Sequence, residues 1–228
     1  NWYGFNTQEK VRALAMVFRN RQGTQVGKNA DGSDIFIPLF GSGFSAKFVD
    51  PITSYVISTQ NQTIPVTINA NQNAFINVFR DGVLVSQVSA ANTLSVNVSS
   101  GNYGVHWIKF SAESGVDIVN DSIRIVTQAP QVVQDPPSGT GNGINIINDS
   151  TVILCLLAPY KNNVYVLGDF NDWSVDPNYY MKKSLNGERY WLQINGLIPN
   201  EEVRFQYLVD NIIRVADPHC EKVLDPFL

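Results

Sequence analysis

The sequence predicts an all-β fold of tandem immunoglobulin-like (early-set) β-sandwiches, on three observations. Composition is the first: 44% of the 228 residues are hydrophobic, 11% aromatic and only 16% charged, and Asn, Ser, Thr, Val and Ile are abundant. That mixture favours strands and polar turns over helices. The second is the close spacing of short apolar alternations, each closed by a turn signal. The third is a Pro/Gly-rich stretch at 129–143 that divides the chain, as a linker would.

Residues 1–45 read as the C-terminal part of a β-domain. Val11, Ala13, Ala15 and Val17 alternate with Arg12, Leu14, Met16 and Phe18, which predicts a strand with both faces mostly buried. Asn29-Ala30-Asp31-Gly32-Ser33-Asp34 follows as a polar turn, and Ile35-Phe36-Ile37 starts the return strand. That turn lacks the ligand spacing and terminal Glu of an EF-hand, so it is expected to be a plain hairpin turn. Residues 46–128 carry five or six strand signals and read as an immunoglobulin-like sandwich. Among them are Val66–Ile68, Ala74–Phe79, Ser95–Val98 and Val105–Phe110. Asp81-Gly82 between Arg80 and Val83 is a two-residue hairpin signal, because both turn residues tolerate a left-handed backbone. Residues 129–143 contain Pro130, Pro136 and Pro137 with Gly139, Gly141 and Gly143. This segment cannot supply a helix or a central strand. Residues 144–228 form the last module, with alternating strands around Val164–Leu167 and Phe205–Val209. No helix is expected anywhere.

Few classes of chemistry are open to such a chain. A net charge of −4 disfavours a nucleic-acid partner. No run reaches the roughly eighteen apolar residues of a membrane helix. Retaining glycosidases need two carboxylates about 5 Å apart, on the strand ends of a parallel barrel of about 250 residues when the enzyme is of the amylase type; nothing here has that alternation. His106 and His219 are the only histidines, and neither sits in a nucleophile motif. His106 reads as structural and His219 as solvated. No catalytic residue, cofactor or metal site is expected. Cys155 and Cys220 read as free, partly buried thiols. A disulfide between them needs Cα atoms within about 7 Å, which sequence cannot test. The chain opens inside what reads as a folded segment and closes at Asp225-Pro226-Phe227-Leu228 without a capping element. It is therefore expected to be a fragment of a longer protein.

One run carries a family likeness. Val164-Tyr165-Val166-Leu167 leads into Gly168-Asp169-Phe170-Asn171-Asp172-Trp173, and Phe205-Gln206-Tyr207-Leu208-Val209 ends in a turn at Asp210-Asn211. This resembles the glycogen-binding-like β-sandwich (family 48 carbohydrate-binding module, isoamylase N-terminal) that precedes the catalytic barrel in α-amylase superfamily enzymes. The tail Ala216-Asp217-Pro218 … Lys222-Val223-Leu224-Asp225-Pro226 is similar to the segment that leads from that module toward the barrel in bacterial members. Its two Asp-Pro steps hold the chain extended.

The resemblance implies a set of carbohydrate-binding residues: Trp173, Gln206, Asn211, Tyr179 and Tyr180. Trp173 matches the family position that stacks on glucose; the other reading is that it packs against its own turn or a neighbouring catalytic domain. Gln206 stands where glycogen-binding members carry a Lys. Asn211 replaces the turn glycine, and Ile213 replaces a second stacking Trp. Tyr179 and Tyr180 would extend a sugar surface near Trp173. Asp169 and Asp172 read as turn and cap residues, and Trp191 as core. With one platform left, binding would be weak or vestigial, at millimolar affinity for a single stack of about 1–3 kcal/mol. The partners implied are an α-glucan and a downstream catalytic domain of the same chain. The implied location is exported from a bacterium, to the periplasm, outer surface or medium. The alternative is a stand-alone cell-surface polysaccharide-binding or scaffold protein.

Overall fold

A computed structural model describes residues 13–28, 35–38, 43–220 and 222–223. Val11 and Arg12, the Asn29–Asp34 turn and the final Asp-Pro step lie outside them. Apart from two single 3-10 turns, every named element is a strand, so the all-β expectation holds. The described residues divide into two compact units: those within 1–56, 61–101 and 106–125 form the first, and those within 57–60, 102–105 and 126–228 the second.

The first unit opens on β1 (Ala13–Met16), β2 (Phe18–Arg19), β3 (Val26–Gly27) and β4 (Ile35–Pro38). β1 pairs antiparallel with β4, and β2 with β3. Burial of both faces, expected from the alternation, does not occur: Leu14, Val17, Phe18 and Phe36 are exposed. Among the described residues these are two separate two-stranded ladders, and a two-stranded ribbon has no second layer to cover it.

The core of this unit belongs to β5 (Ala46–Asp50), β6 (Tyr55–Ser58), β7 (Thr63–Arg80), β8 (Val83–Ser99), β9 (Gly104–Ser114) and β10 (Asp117–Thr127). They form one six-stranded sheet in the order β5-β7-β9-β10-β6, with β8 on the other side of β7. The signals at Val66–Ile68 and Ala74–Phe79 belong to one strand of 18 residues. It cannot be straight. Phe48 of β5 pairs with Ile68, and Phe110 of β9 pairs with Val78. Ten residues of extended strand span about 33 Å, yet the two rings meet edge to face at 4.9 Å. The bend lies where the ladder loses register between Asn69 and Ala74, through the exposed run Asn71-Gln72-Asn73. Strands that turn a corner in this way fold one sheet over its own core. Ile64, Val66 and Ile68 from one half of β7 thereby share a buried cluster with Ile76 and Val78 from the other. The Asp81-Gly82 hairpin forms as expected: Arg80 pairs with Val83, with φ of 49° and 84° at the two turn residues.

The second unit is a two-sheet sandwich. β11 (Gly143–Asn148), β12 (Thr151–Leu157), β14 (Lys182–Lys183) and β15 (Arg189–Asn195) form one sheet in the order β11-β12-β15-β14. β13 (Val164–Gly168), β16 (Phe205–Val209) and β17 (Ile213–Val215) form the other in chain order. Leu154, Leu156, Tyr190 and Ile194 from the first sheet pack with Val164, Val166, Tyr207 and Val209 from the second. β13 is buried along its whole length, so its two apolar faces both find cover. Burial pushes the Tyr190 phenol up to about 12, and its hydroxyl donates to the Lys161 carbonyl.

The proline-rich stretch does more than separate. Residues 132–134 run beside β14: Lys183 N–H donates to Val132 O at 2.9 Å and Gln134 N–H to Lys183 O at 2.8 Å. The Trp191 indole N–H donates to Gln134 O at 2.7 Å, and the Lys182 ammonium lies 4.6 Å from the centre of that ring. The edge strand β14 has unpaired backbone groups to offer. Pro130, Pro136 and Pro137 flank the bonded residues and so leave their N–H groups free to pair. Trp191 is core, as expected, with 5% exposure.

Candidate functional site

The Gly-Asp-Phe-Asn-Asp-Trp run forms a compact turn at the end of β13. Asp169–Asn171 is one 3-10 turn. Asn171 closes it from both ends, accepting from Gly168 N–H at 2.8 Å and donating to Val166 O at 2.9 Å. Asp172 and Trp173 then both take left-handed conformations, at φ of 51° and 56°. Such a backbone costs a non-glycine residue on the order of 1 kcal/mol. The turn holds it through the Trp173 N–H, which donates to Gly168 O at 3.0 Å.

Asp169 is the hub of this turn, a larger role than the capping one expected. Arg204 grips its carboxylate with both ends of the guanidinium: Nε donates to Oδ2 at 3.0 Å and the terminal NH2 group to Oδ1 at 2.9 Å. The Arg204 backbone N–H adds a third bond at 2.9 Å. The Trp173 indole N–H donates to Oδ1 at 3.0 Å. The indole is thus tethered by its polar edge, and its orientation is set through Asp169 by Arg204, the residue that precedes β16. A forked guanidinium bound to one carboxylate favours the charged form, and hydrogen bonds from Arg204 bring Asp169 down to about 2.

That shift has a pH consequence. A carboxylate depressed from its ordinary 3.8 to about 2 stabilises the fold above pH 4, and the contribution disappears as pH falls through about 2. NMR titration of the Asp169 carboxyl is expected to show its midpoint near 2. In an Arg204→Gln variant the midpoint should rise toward the ordinary value; an unmoved midpoint would remove Arg204 as the cause.

Trp173 borders a cleft of about 640 Å³ that it shares with Gln206, Phe205, Ile144, Ile146 and His219. Of the five residues expected to bind carbohydrate, Trp173 and Gln206 come together there. The other three do not line it. Tyr179 stacks on Phe170 at 4.9 Å and donates its hydroxyl to Phe170 O at 3.2 Å. Tyr180 stacks on Tyr165 at 4.7 Å and accepts from the Gln128 side chain. Both rings are spent on packing, because the 3-10 turn Pro177–Tyr179 turns them back onto Phe170 and Tyr165. Asn211 sits in the β16–β17 turn with φ of 62°, the left-handed conformation expected of it, and donates to Gln128 Oε1 at 3.4 Å. Ile213, in place of a second platform, is exposed.

Sequence reasoning missed Arg204, whose only signal was its position two residues before Gln206. It also missed the cleft wall made by β11 and the tail. Among the described residues no three His, Cys, Asp or Glu side chains gather as a metal site. None of the described helices is long and apolar enough to cross a membrane.

The sequence matches no family model and no curated protein. Among solved structures it is similar to fibronectin(III)-like modules of Clostridium thermocellum CbhA, with 23% identity and a TM-score of 0.32 over 37% of this chain and 99% of that one. It is also similar to apo β-glucuronidase 3 of Bacteroides uniformis, with 11% identity and a TM-score of 0.32 over 76% of this chain. The chain spans 25% of that enzyme's length. A chimeric titin Z1Z2-Z1Z2 tandem aligns with 12% identity and a TM-score of 0.30 over 72% of this chain and 91% of that one.

Proposed function

We propose that this chain is a non-catalytic accessory region of an α-glucan-acting glycoside hydrolase or branching-type enzyme. In that reading residues 144–228 are the glycogen-binding-like module, residues 46–128 an immunoglobulin-like sandwich, and residues 1–45 the end of a preceding β-domain. The whole positions a downstream catalytic barrel and contacts glucan weakly, and the parent protein is exported.

The observation that carries the reading is the tethered Trp173 on the cleft it shares with Gln206. A sugar ring stacks its C–H face on a flat indole, and the polar edge of the indole is best fixed elsewhere. The Asp169 bond does this at 3.0 Å, which reduces the entropy lost when a ligand docks. Gln206 supplies an amide that can both donate to and accept from hydroxyls.

Titration with maltoheptaose, followed by intrinsic Trp fluorescence, tests the glucan contact. Saturable binding in the millimolar range is expected, with loss of at least about fivefold in affinity in Trp173→Ala, as deletion of one stack of about 1–3 kcal/mol requires. Absence of any response at tens of millimolar sugar would leave Trp173 as a packing residue of its own turn.

A further inference from the structure

We infer that Cys155 and Cys220 are a redox pair, which closes to an intramolecular disulfide and fastens the tail turn Asp217–Cys220 to the β11–β12 edge of the second unit. Both thiols are free in this structure, Cys155 buried and Cys220 partly exposed.

The strand register brings the two together. Cys155 on β12 stands directly opposite Gly143 on β11, and paired residues of an antiparallel ladder hold their Cα atoms about 4.5–5.5 Å apart. The tail lies against that point: His219 Cβ sits 2.6 Å from where a Cβ on Gly143 would be. Gly143 also has φ of 88°, and the missing side chain is what lets residue 219 approach. His219 and Cys155 thus meet at Gly143, one packed against it and the other paired with it. Cys220 is the next residue, one Cα step of about 3.8 Å further. A disulfide requires Cα atoms within about 7 Å, so closure draws the tail turn toward β12.

Asp217 organises the turn. Asp217 is 3% exposed and accepts the Tyr207 hydroxyl at 2.8 Å and the His219 N–H at 2.8 Å. The Cys220 N–H donates to Asp217 O at 3.2 Å. The two thiols approach one common group from different elements. Burial pushes the Tyr207 phenol up, and Asp217, Cys155 and Cys220 all act on it in the same direction. No other cysteine competes for either partner.

The chemistry is thiol–disulfide exchange with a disulfide donor, glutathione disulfide in the test below. The Cys220 thiolate, the accessible one, attacks the donor and releases one glutathione thiolate. Cys155 then loses its proton and attacks the Cys220 sulfur, releasing the second glutathione. Two protein thiols become one disulfide, and one donor disulfide becomes two thiols. His219 and Cys220 both border the cleft that holds Trp173, so the closed pair fixes that wall of the cleft.

The test compares the full chain as purified under reductant with the chain equilibrated in glutathione disulfide at pH 8. Each is denatured, alkylated and weighed intact. Oxidation is expected to remove two hydrogens, add no glutathione and leave neither cysteine open to alkylation. The melting temperature should rise by about 5–15 °C, as a long-loop crosslink requires. Cys220→Ser should abolish both changes and leave the reduced melting temperature unchanged. Three outcomes would overturn the pairing: both cysteines still alkylated, glutathione retained on Cys220, or a disulfide-linked dimer.

Discussion

Phe110→Ala is expected to destabilise the first unit by about 3–5 kcal/mol, the usual cost of emptying a buried aromatic site. Phe110 is 1% exposed, as is Phe48, whose ring it meets at 4.9 Å and an interplanar angle of 74°. The informative quantity is the coupling between them. Phe48→Ala, Phe110→Ala and the double variant, compared by urea denaturation, should depart from additivity by at least 0.5 kcal/mol, as contacting residues do. Sites more than about 10 Å apart add to within a few tenths. A straight β7 would hold the two positions about 33 Å apart, so additive losses would refute the folded-over sheet.

Gly168→Val should cost about 2–4 kcal/mol, at or above the upper end for overpacking, and should also disturb the Trp173 turn. Gly168 is extended, with φ of −173°, so backbone conformation does not demand glycine there. Space does. A Cβ at this position would stand 2.6 Å from Arg204 O and 2.8 Å from two atoms of the Phe170 ring. The carbonyl cannot move without pulling Arg204 away from Asp169, to which its own N–H is bonded at 2.9 Å. The variant is therefore expected to lower the melting temperature and to raise the Asp169 midpoint from about 2 toward the ordinary range. A variant as stable as the parent, with that midpoint unchanged, would show that the close approach does not matter.

Local features were legible in the sequence, and the reason is visible at each. Asp81-Gly82 encodes its own hairpin, because two residues that accept positive φ match the twist of the flanking strands. Asn211 stands in place of a turn glycine and takes the left-handed conformation that asparagine tolerates. Trp191 was read as core from its place in a strand and is buried there. Each of these depends on neighbours only a few residues away.

What went unread depends on residues distant in the chain. Continuous apolar alternation on β7 does not reveal a corner, since period two survives a bend that exposes only Asn71, Gln72 and Asn73. The proline-rich stretch was read as a separator because proline excludes regular strand; nothing local reports that an edge strand fifty residues later will pair with residues 132–134. Tyr179 and Tyr180 were placed beside Trp173 from proximity in sequence, but the intervening turn directs their rings onto Phe170 and Tyr165.

By itself, then, the sequence determined the all-β class, the hairpin turns and the run that presents Trp173, because period-two patterning and turn chemistry act over a few residues. Only the tertiary structure decided that Arg204 grips Asp169 and so tethers the indole, that Gln206 alone of the other four expected residues joins Trp173 at the cleft, and that residue 219 lies against Gly143. Those are contacts between segments distant in the chain, brought together by the way the two sheets pack.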